Sequence, residues 1–65
     1  MKIMANGEGR ETMAETVAAL LEELKLLPSQ VAVEQNGTVL FRHEFGESRL
    51  KEGDRLEIIR VVAGG

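Results

Sequence analysis

Asn-Gly occurs twice in this chain, at Asn6-Gly7 and Asn36-Gly37, each time between two short stretches of strand character. Asn and Gly both accept positive φ, which the tight two-residue turn of a β-hairpin demands, so the pair is a strong short-range hairpin signal. The first hairpin is predicted over Met1–Asn6 and Gly9–Met13. Its second arm, Arg10-Glu11-Thr12-Met13, is polar enough for a sheet edge. The second hairpin joins Val31-Ala32-Val33-Glu34-Gln35, with its alternating apolar residues, to Thr38-Val39-Leu40-Phe41.

Between the hairpins the period changes. Val17, Leu20, Leu21, Leu24 and Leu27 follow the i, i+3, i+4, i+7, i+10 spacing of one helical stripe, which predicts an amphipathic helix over Glu15–Leu26. Glu15, Glu22, Glu23 and Lys25 are assigned to its exposed side. Thr12-x-x-Glu15 has the form of a capping box, with a start two residues later as the alternative. Pro28 is expected to stop the helix.

After the second hairpin, Arg42 to Glu47 is irregular and charged, with Phe45 as its apolar anchor, and Leu50 is placed in the core beneath a loop. Glu52-Gly53-Asp54 reads as a turn feeding a last strand, Arg55 to Val62. Leu56 and Ile58 share one face of that strand; Glu57, Ile59 and Val61 share the other. Met1, Met4 and Met13 are assigned to the core near the first hairpin.

Sixty-five residues make one small domain, spanning 1–65, and a chain of this size buries only about 60% of its unfolded surface. With no cysteine, neither disulfides nor a thiolate metal site can hold it together, so aliphatic packing must. A net charge of −3 and two aromatic residues argue against nucleic-acid partners, which need basic stripes and stacking platforms. No apolar run is long enough to span a membrane and Met1-Lys2-Ile3 opens no signal peptide, so a cytoplasmic location and a monomer in isolation are expected. One histidine, His43, cannot assemble a metal site with so few other ligands, and no serine has a His–acid pair.

The predicted order is β-β-α-β-β-β, an α+β chain with one helix across a mixed sheet of four or five strands. If the first and last strands are neighbours in mid-sheet they run parallel, with the helix as the crossover. That arrangement is the β-grasp, or ubiquitin-like, fold.

Val31-Ala32-Val33-Glu34-x-Asn36-Gly37, then Leu50-x-Glu52-Gly53-Asp54-Arg55-Leu56-Glu57-Ile58, then Ala63-Gly64-Gly65, resemble the ThiS-type sulfur carriers, as does Thr16-Val17-x-x-Leu20-Leu21 after a short hairpin. The resemblance covers essentially the whole chain. One departure is Phe41-Arg42-His43-Glu44-Phe45, which lacks the proline found there in many relatives. MoaD-type carriers of molybdopterin synthesis share fold and tail but are usually longer.

The resemblance implies a protein cosubstrate rather than an enzyme. The Gly65 carboxylate would be adenylated by an activating adenylyltransferase of the ThiF/MoeB type, with ATP and magnesium bound by that enzyme and no cofactor by this chain. A sulfur donor such as a persulfide-bearing protein would convert it to a thiocarboxylate. A thiazole synthase of the ThiG type would take the sulfur for the thiazole of thiamine. The alternatives are a MoaD-like or other pathway-specific carrier (molybdopterin, cysteine or natural-product synthesis), a ubiquitin-like interaction module, and a small structural domain whose glycines only fray.

The residues agree with that chemistry. An α-carboxylate of pKa about 3.5 is ionised at neutral pH and resists nucleophiles until activated. The chain has no phosphate-cradling glycine loop of its own. Ala63, Gly64 and Gly65 reach roughly 10 Å when extended, at ~3.3–3.6 Å per residue, which suits insertion into a pocket. Ile59 and Val61 on the open side of the sheet, with Arg60 at the rim, are the candidate docking residues.

Overall fold

The structure is a computed structural model that describes residues 1–61. Its strands are β1 (Lys2–Ala5), β2 (Glu8–Glu11), β3 (Val31–Gln35), β4 (Thr38–Leu40) and β5 (Arg55–Arg60), and its one α-helix is α1 (Val17–Glu23). They form a five-stranded sheet in the order β2-β1-β5-β3-β4. Both hairpins are antiparallel, β5 is antiparallel to β3, and β1 and β5 pair in parallel through Met4–Arg55 and Ala5–Leu56. The first and last strands are thus neighbours in mid-sheet, with α1 in the crossover between the hairpins.

Both turns have the geometry that the Asn-Gly pairs require. Asn6 and Gly7 take φ of 51° and 82°, and Asn36 and Gly37 take 52° and 86°. The helix buries Val17, Leu20 and Leu21 against Ile3, Val33, Leu56 and Ile58 from the sheet. Phe45 and Leu50 close the core from the long connection before β5, as expected. That connection is tied to the start of the helix by Val17 N–H to Ser48 O (3.0 Å) and Ala18 N–H to Phe45 O (2.9 Å).

The helix is shorter than its apolar period, at both ends. Thr16, not Thr12, is the N-cap: its Oγ1 accepts from Ala19 N–H at 3.1 Å, four residues beyond the expected capping box, and the helix starts at Val17 rather than Glu15. Thr12 donates its hydroxyl to the Glu23 carboxylate instead and accepts from Ala14 N–H at 2.9 Å.

The C-terminal end comes before Pro28. Lys25 adopts φ 60°, its N–H bonds Glu22 O at 3.0 Å, and Leu26 N–H bonds Leu21 O at 2.9 Å. This is a Schellman stop with lysine where glycine is usual. Pro28 then opens a 3-10 turn, Pro28–Gln30, leading into β3. Because the helix has already ended, Leu27 does not extend the stripe and is exposed.

Two other expectations are corrected. Met13 is 91% exposed rather than core filler, because the chain leaves the sheet after Glu11 and it is Thr12 and Ala14 that turn inward. Glu23 is no idle member of a wet face. Its carboxylate gathers Thr12 Oγ1, Met13 N–H (3.2 Å) and Arg10 Nη2 (3.3 Å). The Thr12 hydroxyl foremost, then Met13 N–H and Arg10, holds its pKa below the ordinary carboxylate value against a smaller opposing effect of burial.

Candidate functional site

β5 is the strand that the residues Val62-Ala63-Gly64-Gly65 follow, and the fold holds it from both sides. It lies between β1 and β3, with Leu56 and Ile58 in the core. Each hairpin turn also reaches across to it with an asparagine side chain. Asn6 Oδ1 accepts from Ile58 N–H at 2.7 Å and Asn6 Nδ2 donates to Ile58 O at 3.1 Å. Asn36 Oδ1 accepts from Arg55 N–H at 2.9 Å, and Asn36 Nδ2 donates to Asp54 Oδ1 at 3.0 Å.

Asp54 is the buried anchor at the start of the strand. It accepts from Asn36 Nδ2, from Gln35 Nε2 at 3.1 Å and from Lys51 N–H at 2.9 Å. Burial alone would raise its pKa. The hydrogen bonds from Asn36, Lys51 and Gln35, with the Lys51 charge, outweigh burial and hold the carboxyl below its ordinary value. These three polar supports, Asn6, Asn36 and Asp54, were assigned only to turns by the sequence. Nothing local to them announces a partner as many as 52 residues away.

At the far end of β5, Ile59 and Val61 project to the sheet face away from the helix and are 54% and 50% exposed. Register identifies further members of that face. Ile59 pairs with Ala32, and Glu34, on the same face as Ala32, pairs with Val39. Val39 is 59% exposed, and Phe41, which shares its parity and is still extended at φ −83° and ψ 153°, is 66% exposed. Ile59, Val61, Val39 and Phe41 make this the apolar side of an otherwise charged sheet face that also carries Arg55, Glu57 and Glu34. Sequence reasoning found the two β5 residues and missed Val39 and Phe41, although the hairpin register predicted from Asn36-Gly37 places them there.

Arg60 is not at the rim of that patch. It pairs with the buried Val31, so it shares the helix-side face with Leu56 and Ile58. A side-chain period of two requires this of residues 56, 58 and 60. The tail residues Ala63, Gly64 and Gly65 lie outside the described residues. His43 stacks on Phe41, with ring centroids 6.0 Å apart and planes 2° from parallel. Among the described residues no group of three or more His, Cys, Asp or Glu could hold a metal ion, and no helix is long and apolar enough to cross a membrane.

Comparison with known proteins agrees with this geometry. The model of the ThiS family matches residues 3–65. The crystal structure of the thiamine biosynthesis protein ThiS from Geobacter metallireducens is 36% identical and superposes with a TM-score of 0.83, each chain covered in full. A solution structure of a thiamine biosynthesis protein from the same organism is 33% identical with a TM-score of 0.80, over all of this chain and 88% of that one. Two proteins named thiazole synthase, from Paramagnetospirillum magneticum and Magnetococcus marinus, are each 39% identical over 66 residues. That match takes in the whole of this chain but about 20% of each synthase, so the chain spans a fifth of the length of these relatives. With a family match over nearly every residue and a shared fold, the chain belongs to the ThiS family, the β-grasp sulfur carriers that its sequence resembles.

Proposed function

We propose that this protein carries sulfur as a thiocarboxylate on Gly65 and delivers it for the thiazole ring of thiamine. The observation that carries the reading is the family match, which runs through Gly64 and Gly65 together with the strand that leads to them. In the proposed cycle the Gly65 carboxylate attacks the α-phosphate of ATP on an activating adenylyltransferase and pyrophosphate leaves. A sulfur nucleophile then attacks the acyl carbon and AMP leaves, so the acyl carbon keeps one oxygen and gains one sulfur. ATP and magnesium belong to the activating enzyme. A thiazole synthase accepts the sulfur, and two relatives of this chain bear that name.

The body of the domain has two tasks in this scheme. The clamps at Arg55 and Ile58 fix where β5 points, and the patch formed by Ile59, Val61, Val39 and Phe41 gives the partner a surface to dock on. Replacing Ile59 by Asp should weaken partner binding about tenfold while leaving the melting point within a few degrees, since the residue is outside the core. Unchanged binding would show that docking lies elsewhere.

Intact-mass measurement after incubation with the activating enzyme, ATP and sulfide tests the chemistry. The expected result is the mass gain of one sulfur-for-oxygen exchange in the wild type and none in Gly64→Val, whose branched side chain stiffens and thickens the tail. A wild-type mass that never changes overturns the reading, and a ladder of isopeptide-linked products assigns the chain to protein modification instead.

A further inference from the structure

β5 outlasts β1. Alternate residues of β5 direct their backbone groups to opposite neighbours, and the hydrogen bonds fix which is which. Val61 N–H bonds Gln30 O at 2.7 Å and Asn36 N–H bonds Arg55 O at 2.8 Å, so residues 55, 57, 59 and 61 face β3. Leu56 O accepts from Asn6 N–H at 2.9 Å and Ile58 is bonded on both backbone groups by the Asn6 side chain, so 56, 58 and 60 face β1. β1 has turned away by then, since Asn6 and Gly7 already form the hairpin turn. The Arg60 N–H and C=O are directed into the gap in line with β1. Among the described residues, a central strand thus has an open edge at its last residue.

A groove of about 570 Å³ lies there. Leu24, Leu26, Val31 and Ile58 supply its apolar lining, and Glu8, Arg10 and Arg60 border it. Arg10 Nη2 holds Glu23 at 3.3 Å, while its buried Nε has no hydrogen-bond partner among the described residues. Backbone donor and acceptor, apolar floor and two guanidinium groups together have the form of a site for an added β-strand.

We propose that an extended segment of the thiazole synthase adds to the sheet here, collinear with β1 and paired with Arg60. The proposal rests on the reading given under Proposed function, and the same two synthase-named relatives point to the occupant. The added strand takes the Arg60 N–H and C=O as its ladder partners, sets an apolar side chain on the groove floor and presents a carboxylate to the Arg60 guanidinium. Strand pairing at Arg60 is continuous with the tail, so the contact that recognises the carrier also aligns the segment that enters the acceptor. It is distinct from docking on the opposite face through Ile59 and Val61.

Amide hydrogen exchange with the thiazole synthase of the same cells tests this. In the free protein the Arg60 amide should exchange fast, while Ile59 and Val61, bonded to β3, exchange slowly; in the complex Arg60 should become protected. Arg60→Pro removes the N–H on the unpaired side, where a strand tolerates proline, and should weaken synthase binding about tenfold relative to Arg60→Ala, which keeps the N–H. A wild-type complex in which Arg60 exchange is unchanged and the two variants bind alike overturns the added strand and leaves the sulfur-carrier reading standing. Failure of the wild type to bind the synthase removes the proposed acceptor along with the added strand. Protection that grows with the protein's own concentration, without synthase, assigns the edge to a second copy and also overturns the proposal.

Discussion

The two Asn-Gly hairpins are nearly identical locally and do different work. Their asparagines differ in φ by one degree, yet Asn36 secures the start of β5 through Arg55 and Asp54, while Asn6 secures it three residues on, through Ile58. Around Asn36 the network is ionic: a buried carboxylate gathers two side-chain amides and a backbone N–H. Around Asn6 it is neutral, with one amide acting as the next residue of β1. A turn signal predicts the bend in the chain, and the side chain left over at the bend decides what the bend is fastened to.

Exchanging each asparagine for glycine separates the bend from the fastening, because glycine keeps positive φ and loses the amide. Asn6→Gly should destabilise more, about 2 kcal/mol, since it strips both partners from the backbone of Ile58 in the interior. The melting point should fall roughly 8–16 °C at ~4–8 °C per kcal/mol for a domain of this size. Asn36→Gly should lose about 1 kcal/mol, because Arg55 N–H is exposed and Asp54 keeps Gln35 and Lys51. Equal losses at both sites would erase the distinction.

Acid should separate them next. The Asp54 pKa is lower in the folded state than in the unfolded chain, so its stabilisation is fully present above the unfolded value of about 3.9 and is lost as pH falls through the folded value. Glu23 is lowered too and titrates in the same direction. Melting points followed downward from about pH 5 should therefore drop in the wild type. Asn36→Gly, which removes one donor to Asp54, should flatten that drop, and Asn6→Gly should leave its shape intact. Parallel curves for all three proteins would refute the assignment.

The smallest effect provides a control of opposite sign. Lys25 also has positive φ, but among the described residues no side-chain hydrogen bond justifies the residue there. Lys25→Gly should stabilise by about 1 kcal/mol, because the left-handed conformation strains any residue with a Cβ. Thermal melting that shows a loss instead would mean that the lysine stem contributes packing.

Most of the fold was legible because it is written in periods and turns. Two Asn-Gly pairs, one 3.6-residue stripe and the apolar last strand lead to the observed strand and helix order. Helix ends were less legible. Thr12 and Thr16 both precede a helical run, and only packing decides that Thr12 turns to Glu23. A lysine in the left-handed stop after Leu24 carries no sequence signal, so Leu24 and Leu27 look equivalent until the chain bends between them. At the site, alternation alone separates Arg60 from Ile59, whereas the Asp54 cluster depends on residues 18 and 19 positions apart coming together.

Pairing the first strand with the last has a consequence for synthesis. A ribosome adding about 5–20 residues per second has made both hairpins and the helix before β5 emerges, and until then no strand joins them. A product cut short before Arg55 is left as two separate hairpins with an uncovered helix, open to proteolysis. Folding therefore checks the chain for the presence of β5, because only that strand joins the two hairpins into one sheet.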